Sequence, residues 1–149
     1  MNIRAFLFAV LAVSTCGCST VEKGKRHTSA PLESYKTAYL VMSSEANWDI
    51  GMYIREALTE RGVTVTVGNL PSKPKDVSFY VIYVARQNWD MKMYLESLKI
   101  QFLDGTTDRL LATGSFKNGF FHSFPDERQK TFEVVESMYN AKYPSATDH

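Results

Sequence analysis

Ile50, Tyr53, Ile54, Ala57 and Leu58 fall three and four positions apart. At about 3.6 residues per turn that spacing makes one continuous apolar helical face. Ser44 is the expected cap of this helix, and Arg61-Gly62 its expected end, glycine being suited to a left-handed closing residue. The next five residues, Val63-Thr64-Val65-Thr66-Val67, alternate strictly, as a half-buried strand does. Lys36 to Met42, ahead of the helix, reads as a first strand. The three together predict a βαβ start, with its strands parallel or near neighbours and a right-handed crossover.

Gly68 to Asp76, punctuated by Pro71 and Pro74, reads as an exposed loop. Val77 to Ala85 is apolar on both faces, which fits a central strand covered on both sides. Met91 to Leu103 mixes parities: Tyr94, Leu98, Ile100 and Phe102 share one, Met93, Leu95 and Leu103 the other. The hairpin signal Asp104-Gly105-Thr106-Thr107-Asp108 follows, then a strand-like Arg109 to Phe116. The segment can be read as helix or strand, and the hairpin signal favours one long strand, bulged around Glu96-Ser97. Pro125-Asp126-Glu127 opens a last helix; Phe132, Val135, Tyr139 and Tyr143 carry it to Lys142, where Pro144 stops it. The order β-α-β-β-β-β-α predicts an α+β domain: a single mixed β-sheet of about five strands with two helices packed on it.

The N-terminus has a different pattern. Arg4 and then an apolar run from Ala5 to Val13 give way to small residues, the three parts of a secretory signal. The run is too short for a membrane span, which takes about 20 apolar residues. The two cysteines of the chain, Cys16 and Cys18, close this segment. The bacterial lipoprotein signal resembles Leu-Ala-Gly-Cys, with a small residue directly before the acylated thiol. Cys18, preceded by Gly17, fits it better than Cys16, which follows Thr15. The expected layout is a lipoprotein signal peptide over 1–17, an acylated cysteine and polar tether over 18–34, the α/β domain over 35–143 and a tail over 144–149. Ser19 in place of an Asp after the cysteine points to the outer membrane, with the domain facing the periplasm.

Composition narrows the chemistry. A chain of 149 residues that is 44% apolar and 13% aromatic supports one globular core. The net charge of +1 offers no basic stripe for nucleic acid. The histidines His27, His122 and His149 sit on three separate segments without metal-ligand spacing, so no metal or cofactor is expected. No Gly-x-Ser-x-Gly elbow is present. A paired-carboxylate hydrolase of envelope polymers would have to gather Asp49, Asp90 and His122 into one cleft.

Binding surfaces are better represented. Trp48, Arg86, Trp89 and Asp90 stand near element ends, and Arg and Trp dominate interface hot spots. For the tryptophans the favoured reading is nonetheless that each closes one end of the core, with partner contact as the alternative. Phe120, Phe121, His122 and Phe124 form an aromatic loop that either folds beneath the sheet or presents an apolar patch.

The run Tyr83-Val84-Ala85-Arg86-Gln87-Asn88-Trp89-Asp90-Met91-Lys92-Met93-Tyr94-Leu95 resembles a group of small Gram-negative lipoproteins. The likeness continues through Asp104, Leu111-Ala112-Thr113-Gly114-Ser115 and Pro125-Asp126-Glu127. It implies an anchored periplasmic α/β domain and brings no reaction with it. The resulting expectation is a non-enzymatic, membrane-anchored lipoprotein whose domain binds an envelope protein or polymer. A toxin-neutralising, immunity-type lipoprotein is the alternative, and the hydrolase a more distant one.

Overall fold

The computed structural model describes residues 20–42, 48–69, 74–119 and 124–143. Its elements are β1 (Thr20–Arg26), β2 (Thr37–Val41), α1 (Trp48–Glu60), β3 (Thr64–Gly68), β4 (Phe79–Asp90), β5 (Lys92–Asp104), β6 (Leu110–Lys117) and α2 (Glu127–Tyr139), with a short 3-10 turn at Leu32–Ser34. The fold is α+β, one mixed sheet of six strands in the order β1-β6-β5-β4-β2-β3, with two helices.

Most of the expected elements are present. β2 and β3 are parallel, α1 crosses between them, and Gly62 takes φ 75° just past the helix. β4 is interior, parallel to β2 and antiparallel to β5. The predicted bulge is there: Arg86 pairs with Ser97 and Gln87 with Leu95, so Glu96 is the extra residue. Asp126 caps α2 by accepting from the Gln129 amide. The helix stops at Tyr139, three residues before the expected Lys142, with Asn140 as its C-cap. The Ser44 cap lies outside the described residues.

The tether needs correction. Thr20–Arg26 is an edge strand, antiparallel to β6, and Leu32 is buried in the main core. This segment lacks apolar alternation because an edge strand is held by its backbone ladder, which any sequence supplies. The exposed Lys23 and Lys25 also deter pairing by a further strand. Gly24 has a packing reason: a Cβ there would sit inside the backbone of Ser137 on α2. The glycine lets β1 pass directly beneath the helix.

The main core lies between the sheet and both helices. Leu40, Val81, Ile100, Phe102, Ala112 and Phe116 meet Ile54, Leu58, Val134, Val135 and Met138 there. Each fully buried Leu, Ile or Phe contributes roughly 1.5–3 kcal/mol. The helices are clasped by Arg128 of α2, which donates to both carboxylate oxygens of Glu56 on α1 at 3.0 and 2.6 Å. This hydrogen-bonded guanidinium holds the Glu56 carboxyl below its ordinary value.

The opposite face carries a smaller cluster of Tyr39, Val41 and Tyr80. β4 follows β3 on the other side of β2, and the described ends of their connection, Asn69 and Pro74, meet this face. There the Tyr39 hydroxyl donates to the Asn69 carbonyl, and the Tyr80 hydroxyl to that of Pro74.

Candidate functional site

Strand register defines two ends of the molecule. Thr20 pairs with Lys117, Lys117 with Ser97, and Ser97 with Arg86. The start of β1, the end of β6 and the second half of β4 are therefore level with one another. β2 pairs with β4 only from Phe79 to Val81, and β6 with β5 only from Ser97 to Leu103. Beyond Arg86, β4 and β5 run on as a two-stranded ribbon that projects past the sheet. We refer to this as the hairpin end, and to the opposite one, with Arg26 and Asp104, as the far end.

The expected site residues that are described converge on the hairpin end. Trp48 opens α1, one turn before the point where Gly51 meets Met42 and Tyr83. Arg86, Trp89 and Asp90 line the projecting part of β4, all exposed. Trp48 is 63% exposed and Trp89 69%, so neither closes the core. Tyr83, Leu95 and Leu98 of β4 and β5 are buried in the main core, and neither tryptophan is among its members. Phe124 is exposed too, with its ring edge-on to buried Tyr94 at 5.8 Å and Lys92 Nζ 4.3 Å from its centroid. Phe120, Phe121 and His122 lie outside the described residues, as do Cys16 and Cys18.

Two residues that the sequence reading passed over complete the surface. Met91 sits at the hairpin apex with φ 61° and is 87% exposed. Met93 is 56% exposed and pairs directly across the ribbon with Trp89. Their signal was local: a Met-Lys-Met triplet just after Trp-Asp, where a two-stranded ribbon has to turn. The ribbon is braced at its base. Gln87 Nε2 donates to Glu127 of α2 at 2.8 Å, and the Asn118 amide to the Glu96 carbonyl at 2.8 Å. The braces fix where the tip points, while its apolar side chains stay uncovered among the described residues.

The carboxylates Asp49 and Asp90 are both exposed at this end, on separate elements, in the first turn of α1 and the last position of β4. Among the described residues no three His, Cys, Asp or Glu side chains converge as metal ligands, and no helix is long and apolar enough to cross a membrane.

The far end is chemically the reverse. The Arg26 side chain is buried and donates to the Tyr139 carbonyl at 2.7 Å and to Glu33 at 3.5 Å. It thereby caps the last turn of α2 with a positive charge, favourably placed on the helix dipole. The Arg61 guanidinium lies 4.5 Å from the Tyr139 ring centre, and Arg26 4.7 Å from that of Tyr143. Burial pushes the Tyr139 phenol up to about 12, with Arg61 and Arg26 opposing and Glu33 adding to the rise. Among the described residues, Arg26 Nε and the Tyr139 hydroxyl are buried without hydrogen-bond partners. Between the helices, Ala57, Glu60, Arg61, Phe132 and Glu136 line an open groove of about 350 Å³.

No protein-family model and no curated protein matches the sequence. Solved structures do match in fold. PelC from Paraburkholderia phytofirmans, a dodecamer, is similar in two crystal forms, one of a point variant. The TM-scores are 0.58 and 0.55 at 10% identity, covering 80% and 85% of this chain and 98% and 100% of PelC. A PDZ domain protein from Parabacteroides distasonis is similar with a TM-score of 0.54 at 16% identity, over 84% of this chain and 37% of that one. At these identities the likeness is one of fold.

Proposed function

We propose that the chain is a lipid-anchored envelope protein, cut before Cys18 and acylated there. Its periplasmic domain engages an envelope component through the hairpin end, without catalysing a reaction. The observation that carries this reading is the gathering of exposed Trp48, Trp89, Met91, Met93 and Phe124 at one end of the sheet. Burying a large apolar side chain contributes roughly 1.5–3 kcal/mol, so leaving several together in water points to another surface that covers them. The signal-like N-terminus and the small residue before Cys18 support the anchor, and the lipoprotein-like run from Tyr83 to Leu95 forms this same hairpin.

Cell fractionation tests the anchor. Wild-type protein should sediment with membranes, and Cys18→Ala should release a folded domain into the soluble periplasm, while Cys16→Ala leaves it bound. A Cys18→Ala protein that still sediments as wild type does would sink the reading.

A further inference from the structure

We propose that the hairpin end is a membrane-contacting surface, with Trp89, Met91 and Met93, flanked by Trp48 and Phe124, entering the headgroup region of the bilayer that holds the anchor. The inference rests on the reading that Cys18 is acylated.

Chain length is the first argument. Cys18 precedes Thr20, the first residue of β1, by two positions, a reach of at most ~7 Å. Thr20 is level, through Lys117 and Ser97, with Arg86. From Arg86 the ribbon continues to Asp90 and the Met91 apex, ~13 Å farther along its own strand. So short a leash holds this end of the sheet at the lipid surface, and the ribbon is longer than the leash. Either the tip passes between headgroups, or the domain leans until the side of the ribbon rests on them. Both bring Trp89 and Met93, cross-strand neighbours, against lipid.

The residue chemistry suits that place. Indole rings settle at the membrane–water interface, apolar in body with a polar N–H. Methionine is flexible and polarisable and adapts to an irregular surface. Lys92 can lay its stem along the apolar tip and keep its ammonium among headgroups. Charges at this end are of both signs, Arg86, Lys92 and Lys117 against Asp49, Asp90 and Glu96, so the contact is apolar and needs no anionic lipid. The backbone adds an independent point. Met91 holds a left-handed conformation that glycine or asparagine adopts at lower cost, yet the apex carries a long apolar side chain.

Tryptophan emission tests the proposal. Purified acylated protein bearing Trp48→Phe, in which Trp89 alone reports, is placed on phosphatidylethanolamine vesicles with and without brominated acyl chains. The expected result is flotation with the vesicles, a blue-shifted Trp89 emission and its quenching by the brominated lipid. A Met91→Ser, Met93→Ser protein should float equally but lose most of the quenching. Flotation with a water-exposed, unquenched Trp89 overturns the proposal and leaves the anchor standing. A blue shift that appears without vesicles and grows with protein concentration overturns it in favour of a second copy. Failure to float overturns the anchor, and the proposal falls with it.

Discussion

At the far end of the sheet the Arg26 guanidinium lies inside the protein, whereas at the hairpin end Trp89 and Met91 lie outside it. Both depart from the usual partition, in opposite directions and with different consequences. Arg26 is part of the fold: it joins β1 to the last carbonyl of α2 and to Glu33 on the connection to β2. Removing it takes the charged donor from the buried Tyr139 carbonyl. Trp89 pairs across its own ribbon with Met93, and its side chain is 69% exposed. The buried charge is thus accounted for by stability, and the exposed indole is what the proposed membrane contact would account for.

Substitutions can break that contrast. Gly24→Val should have the largest effect, lowering stability by roughly 3 kcal/mol through a clash with the α2 backbone, read from the urea midpoint. Arg26→Ala should cost about 2 kcal/mol, because the Tyr139 carbonyl loses a charged donor. Tyr139→Phe should gain about 1 kcal/mol by removing a buried hydroxyl that lacks a partner.

The same variant carries a pH signature. Folding favours the neutral phenol, whose ordinary value of 10.0 is raised to about 12 by burial. Its contribution is fully present below pH 10.0 and is lost as the pH rises towards about 12. Tyr139→Phe should flatten that alkaline decline in a series of thermal melts. At the hairpin end, Met91→Gly should gain only about 0.5 kcal/mol, relief of the left-handed methionine being offset by the entropy of glycine. Trp89→Ala should shift stability by less than about 0.5 kcal/mol, as exposed sites do. A large loss of stability there would erase the distinction between the ends.

The sequence was informative wherever burial imposes a period. The face of α1, the alternation of β3 and the buried start of β4 from Phe79 to Val81 each follow from which side chains leave water. The expected double-sided cover of β4 is only partial, Val84 being 60% exposed. The β5 bulge was visible because its apolar residues change parity around Glu96. β1 was not, since an edge ladder needs backbone groups alone, and its buried Arg26 resembles any polar linker residue. Gly24 reads as loop material until α2 is seen lying on it. The surface was half legible. Trp48, Trp89 and Phe124 could be singled out by type, but their exposure depends on how far the β4–β5 ribbon outruns its neighbours. That is a property of pairing register, and no single segment encodes it.

A lipid on Cys18 would also make β1 the member through which any pull on the membrane reaches the domain. Tension at Thr20 runs along the strand and bears on the β6 pairings from Thr20 to Arg26 together, in shear, where a perpendicular pull would open them one by one. Arg26 sits at the trailing end, clasped on the Tyr139 carbonyl, and acts as a stop that must be dragged free before the strand can slide. On that reading the load would be borne by part of the domain's own sheet, and the β1–β6 ladder would set the force at which the fold yields while the covalent link to the lipid stays intact.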